Sequence, residues 1–132
     1  IMEIFDNNSN KLLAIVHRYL SIENKKNFLT NPKEQFQMGA FNLPKGEEIL
    51  KHVHLNNDRN VNMTPEGIVV LDGKLKVSVF NSKKELVKIV ELNEKDSILL
   101  ITGGHGIEVL EDSKFIEFKQ GPYSLTKDKE HF

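Results

Sequence analysis

The chain has 132 residues, of which 39% are hydrophobic and 28% charged, and its 18 basic and 19 acidic residues give a formal net charge of −1. This length and composition fit one domain with a real hydrophobic core. The charge balance argues against a basic nucleic-acid-binding domain and against a charge-driven disordered chain. Because the sequence contains no cysteine, disulfides, thiolate metal ligands and cysteine nucleophiles are excluded, and a cytoplasmic location is expected. The apolar runs are far shorter than the roughly 20 residues of a membrane-spanning helix, so no membrane partner is expected, and no signal peptide is predicted.

The first half of the chain contains one ambiguous element and several predicted strands. The apolar run within residues 11–19 fits either a short helix or a buried strand, and periodicity alone does not decide between them. Residues 36–41 and 49–55 are predicted as strands. Residues 68–71 form the next predicted strand, and Glu66 opens it.

The second half predicts hairpins. Residues 74–80 alternate polar and apolar side chains, and residues 85–92 follow after a turn, which is typical of a hairpin. Asp72-Gly73 is a tight-turn dipeptide before it. Residues 98–102 and 106–110 are predicted to pair around Gly103-Gly104, and residues 114–119 form a last strand. Strands at this spacing predict an all-β barrel or sandwich spanning residues 1–132, with an N-terminal extension at 1–33, a barrel core at 34–119 and a tail at 120–132.

Four residues carry the predicted chemistry. His52 and His54 are two apart on a predicted strand, so both imidazoles point to one face. Glu66 shares a face with Ile68 and Val70, so its carboxylate can enter the same interior. His105 lies in a Gly-Gly-His-Gly turn. Imidazoles with a carboxylate suit a divalent transition metal such as Zn, Fe, Mn or Ni.

The spacing of these residues resembles the two motifs of the cupin superfamily. Gly46 is followed by five residues and then His52-Val53-His54, and Glu66 is followed by six residues and then Gly73. Gly103-Gly104-His105 stands near the position of the third histidine. The resemblance covers about residues 36–119, and the stretch from Pro44 to His54 with Gly121-Pro122-Tyr123 looks like small stand-alone cupins of surface-polysaccharide and sugar biosynthesis.

The sequence also departs from the cupin pattern. Residues 55–65 separate His54 from Glu66, a longer gap than in the family, and Asp58 at the usual gap length is the rival carboxylate. Glu66 is preferred because its spacing to Gly73 fits. The inserted loop contains Arg59, which could close on an anionic ligand or be a solvated loop charge.

The resemblance implies a cupin barrel that holds one metal through His52, His54, Glu66 and His105 and forms a homodimer. It implies a metal-dependent protein for a small polar substrate such as a sugar or sugar derivative, with isomerase, epimerase or oxygenase chemistry unresolved. The alternatives are a non-catalytic binding or accessory protein and a metal that only stabilises the barrel. Arg59 and Tyr123 are weak candidates for catalytic groups, and Lys119 is a further acid–base candidate with a surface lysine as the simpler interpretation.

Overall fold

The computed structural model describes residues 1–22 and 26–132 and contains ten strands, which form three antiparallel sheets. The first five strands are β1 (Met2–Phe5), β2 (Leu12–His17), β3 (Lys26–Phe28), β4 (Gly39–Phe41) and β5 (Glu66–Asp72). The second five are β6 (Lys74–Phe80), β7 (Leu86–Asn93), β8 (Ser97–Leu100), β9 (Gly104–Val109) and β10 (Lys114–Lys119). The described residues contain no α-helix and one short 3₁₀ helix at Tyr19–Ser21, which is too short to span a membrane.

Two sheets enclose the main core. The five-stranded sheet has the order β1-β2-β8-β5-β10, the three-stranded sheet has the order β7-β6-β9, and β3 pairs with β4. The alternating strand β6 buries every second side chain, at Leu75, Val77 and Val79, against residues of the larger sheet. The predicted all-β class and the hairpin of β6 with β7 are therefore confirmed.

The ambiguous segment at residues 11–19 is a strand, and its apolar run has a simple reason. Val16 and Ala14 of β2 face the main core, while Ile15 joins Leu99 and Ile101 in a second cluster on the opposite face of the sheet. Phe36, Met38 and Met63 cover this second cluster. A strand buried on both faces reads as an unbroken apolar run.

Three strand predictions were wrong in whole or in part. The strands at 98–102 and 106–110 do not pair with each other, because β8 lies between β2 and β5 whereas β9 pairs with β6 in the other sheet. Of the predicted strand at 36–41, residues Gly39–Phe41 are extended and paired. Residues 49–55 form no strand, since residues 42–65 contain no helix or strand and residues 44–60 are all exposed.

The sandwich is open along one side. β9 is an edge of the smaller sheet and β10 is an edge of the larger one, so neither strand pairs on its outer side with any residue that the structure describes. Val109 and Phe115 occupy these edges and remain 56% and 39% exposed. Exposed edge strands with apolar side chains are sites where further β-pairing is favoured.

Asp96 fastens the turn between β7 and β8 to the end of β2. The Asp96 carboxylate is buried, and it accepts hydrogen bonds from the Arg18 guanidinium at 2.6 Å, the Asn93 amide at 3.0 Å and the Tyr19 amide at 3.2 Å. Asp96 therefore has a structural role in joining this turn to the larger sheet.

His17 predicts a pH dependence of stability. Its imidazole is buried, and this burial lowers its pKa below 6.5, an effect that the nearby Asp96 carboxylate opposes. The unfolded chain therefore binds more protons at His17 than the folded chain as the pH falls below about 6.5, and stability drops there. Urea unfolding at about pH 7.5 and about pH 5.5 should show a smaller difference for His17→Gln than for the wild type. An unchanged difference would contradict this origin.

Candidate functional site

Glu66, His105 and Lys119 meet at one end of the sandwich. Glu66 is the first residue of β5 and lies opposite Lys119 at the end of β10. The Glu66 carboxylate is 2.9 Å from His105 Nε2 through Oε2 and 3.8 Å from Lys119 Nζ through Oε1. The Glu66 side chain is 14% exposed, so the carboxylate is largely shielded from solvent.

Strand register explains why these side chains converge. Glu66 alternates with Ile68 and Val70 on β5, and both of these are buried in the core between the sheets. His105 lies directly opposite the buried Val79 of β6, and directly opposed residues share a face. The predicted shared face of Glu66, Ile68 and Val70 is thus confirmed, and His105 enters the same interior from the other sheet.

Gly103 places His105. Its φ is +84°, and a Cβ atom there would lie 2.2 Å from the carbonyl oxygen of Phe80, so a residue with a side chain cannot fit without movement. This glycine lets the chain pass from the larger sheet to the smaller one immediately before His105. The glycine-rich turn was identified in the sequence, and its role is this crossing.

A cavity of about 710 Å³ surrounds the three side chains. Glu66, Glu117 and Lys119 line it from the larger sheet, His105 and Ile107 line it from the smaller sheet, and Met63 and Thr64 line it from the chain before β5. A carboxylate, an imidazole and an ammonium group in one cavity can exchange protons with a bound molecule or hold it through charged hydrogen bonds.

His52 and His54 lie elsewhere, in the exposed segment. Their rings contact each other edge to face with centroids 5.2 Å apart, and His52 Nδ1 is 2.8 Å from the Leu50 carbonyl oxygen. Asp58, the rival carboxylate, is exposed in the same segment. Their predicted strand is missing, and for that reason these histidines do not share an interior face with Glu66.

The structure therefore joins the four predicted metal ligands in two pairs. Glu66 with His105 fits half of the predicted donor set, and His52 with His54 forms the other half. Across residues 1–22 and 26–132, no three histidine, aspartate or glutamate side chains are arranged to hold one metal ion. The four ligands are not assembled because residues 49–55, which carry His52 and His54, do not pair with any strand among the described residues.

The weaker candidates have clear positions. Arg59 is exposed and is absent from the cavity lining, so this arrangement gives no support to a loop closed by Arg59. Tyr123 is 56% exposed and its ring lies 5.0 Å from Lys119 Nζ. Lys119 lines the cavity rather than the surface, and Glu117 lines it although no sequence motif included it. The sequence signal for both was their alternation on β10, which gives them the same face.

Comparisons with protein-family models, with characterised proteins and with solved structures found no match for this chain.

Proposed function

We propose that this protein is a small cupin-like barrel that binds one divalent metal and takes a small polar molecule, a sugar or sugar derivative, into the cavity at Glu66. The observation that carries the proposal is the Glu66–His105 pair, whose Oε2 and Nε2 atoms lie 2.9 Å apart inside a 710 Å³ cavity. A divalent metal at such a pair would polarise a carbonyl or bind neighbouring hydroxyls of the substrate.

The barrel is completed, in this proposal, by residues 49–55. The segment carries the exposed apolar side chains of Leu50, Val53 and Leu55, at 77%, 82% and 81% exposure, and β9 offers an unpaired edge. Pairing the segment with β9 would give hydrogen-bond partners to the backbone groups at the β9 edge and would bury apolar side chains of the segment. It also moves His52 and His54 toward His105, which lies on β9.

Hydrogen exchange tests this closure. Adding Zn²⁺ to metal-free protein is expected to slow amide exchange in residues 49–55 and in β9, because metal binding and strand pairing stabilise each other. Residues 30–36 serve as the internal control and should not change. Zn²⁺ that binds without protecting residues 49–55 would refute the closure.

Lys119 favours an enzyme over a passive binding protein. Its Nζ lies 3.8 Å from Glu66 Oε1 and 5.0 Å from the Tyr123 ring, so an acid–base group stands beside the proposed metal ligand. Isomerases and epimerases of sugars need such a group to move a proton. The non-catalytic alternative predicts that Lys119 affects binding alone.

A homodimer is proposed through the outer face of β5 and β10. Leu71, Ile116 and Phe118 are exposed there by 49%, 44% and 57%, beside the part of the sheet that Phe36 and Met38 cover. An exposed apolar sheet face of this kind is typical of a self-association surface.

Phe118→Glu tests the dimer, because a charge at the centre of an apolar interface opposes its burial. Sedimentation at micromolar concentration should give a dimer for the wild type and a monomer for Phe118→Glu. Leu20→Glu, at a residue 94% exposed and outside this face, is the matched control and should remain dimeric. A monomeric wild type would remove the dimer proposal.

A further inference from the structure

The segment after β10 crosses the mouth of the cavity. It leaves β10 beside Glu66 and ends with Phe132 against Phe80 of β6, where the two rings meet edge to face with centroids 5.1 Å apart. Residues 124–132, here called the strap, thus connect the end of the larger sheet with the end of the smaller one. Asp128, Lys129, Glu130, His131 and Phe132 all line the cavity that contains Glu66 and His105.

A small number of side-chain contacts hold the strap against β6 and the turn that follows it. Glu130 Oε2 lies 3.3 Å from Lys84 Nζ, and the same ammonium group lies 5.6 Å from the centre of the Phe132 ring. Gly104 leaves room for that ring, since a Cβ atom at this position would stand 2.9 Å from Phe132 Cζ. Phe132 itself remains 62% exposed, so its contact with Phe80 is shallow. Such a segment opens at a low free-energy cost compared with the core.

Asp128 gives the strap a binding group. Its Oδ2 atom is closed off from solvent and accepts no hydrogen bond from the described residues, while other atoms of Asp128 line the cavity, so rotation of the carboxylate while the strap is open would turn this oxygen toward it. A buried carboxylate oxygen without a donor is costly, and a donor brought by a bound molecule removes that cost. A hydroxyl group supplies such a donor without adding charge to the acidic and basic side chains already there.

From these contacts we infer that the strap is a gate which opens to admit a hydroxylated small molecule and closes on it, with the Asp128 carboxylate accepting a hydrogen bond from a hydroxyl of that molecule. The inference rests on the proposed binding of a small polar molecule in this cavity. It adds the closing element and a binding residue, and neither depends on a metal.

Because the chain contains no cysteine, a single introduced thiol can report strap opening. Ser78 and Phe132 both line a second cavity of about 410 Å³ beside β6 and β9, so the alkylation rate of Ser78→Cys by iodoacetamide follows the open population of the strap. With EDTA present, adding Phe132→Ala should raise that rate about two- to tenfold, the range expected when an aromatic contact is lost. Asn56→Cys, in the exposed segment, is the control and should react equally with and without Phe132→Ala.

The second arm adds D-glucose, D-galactose or D-mannose. At least one sugar should slow alkylation of Ser78→Cys, and Asp128→Asn should abolish the slowing, while Lys127→Gln, an exposed strap residue, should retain it. An unchanged rate with Phe132→Ala overturns the gate. Slowing that survives Asp128→Asn, or no slowing by any of the three sugars, overturns the binding role. EDTA removes divalent metal from these alkylation experiments, so their outcome tests the gate alone. The metal proposal is tested separately by zinc binding.

Discussion

Replacing His54 with alanine is expected to remove most of the bound divalent metal. In the proposed closed barrel His54 is one of four ligands, and without it the remaining donors form an incomplete shell. Loss of an outer-shell partner already costs about 10–100-fold in metal affinity, so loss of a ligand should cost more than about 100-fold. Elemental analysis of the purified variant, with metal content per chain, measures this directly.

Asp58→Asn is the matched control for His54→Ala. Asp58 is exposed in the same segment and is the rival carboxylate, so its replacement should leave the metal content unchanged if Glu66 is the ligand. Loss of metal in Asp58→Asn would exchange the roles of the two carboxylates. Stoichiometric metal in His54→Ala would remove His54 from the site.

Asp96→Ala should produce a large loss of stability, about 2–4 kcal/mol in the free energy of unfolding. The variant removes three hydrogen bonds, from Arg18, Asn93 and Tyr19, and leaves these donors without their buried acceptor. The Arg18 guanidinium, also bonded to the Glu91 carbonyl, loses its carboxylate partner. Urea unfolding followed by circular dichroism measures the change.

Glu94→Ala is the control for Asp96→Ala. Glu94 is two residues away and lies 3.1 Å from Lys95 Nζ, but both side chains are more than half exposed. Exposed ion pairs contribute about 0–1 kcal/mol, so this variant should lose less than about 1 kcal/mol. Equal losses in the two variants would show that Asp96 is not the anchor of this turn.

The sequence correctly predicted strands in which one face is apolar and the other is polar. β6 alternates strictly, and Leu75, Val77 and Val79 are all buried as that alternation predicts. Gly73, with a φ of +86°, forms the tight turn expected from Asp72-Gly73. Glu66 entered the interior because its strand neighbours Ile68 and Val70 fix its face.

The sequence could not predict which strands become neighbours. β8 and β9 follow each other, but β8 is buried on both faces in the larger sheet and β9 turns into the other sheet at Gly103. An apolar run such as residues 98–101 signals burial without naming its partners. The same limit applies to residues 49–55, whose alternation suggests a strand but whose pairing depends on the distant edge of β9.

The sequence identified individual residues of the candidate site, but it could not predict which of them come together in the folded protein. Glu66 and His105 are brought within 2.9 Å from different sheets, a contact that no local pattern encodes. From the sequence, a surface lysine is the simpler interpretation of Lys119, and residues 120–132 are predicted only as a tail. Their position at the cavity follows from β10 pairing with β5.

X-ray absorption spectroscopy of the Zn²⁺-loaded protein tests the central proposal most directly. Its fine structure distinguishes imidazole from carboxylate ligands and gives their distances, about 2.0–2.1 Å for imidazole nitrogen and about 2.0–2.2 Å for carboxylate oxygen. We expect three imidazoles and one carboxylate per zinc, with one imidazole lost in His105→Ala. A spectrum with two imidazoles or fewer, or a wild-type protein that takes up no zinc, would contradict the assembly of His52, His54, Glu66 and His105 around one metal.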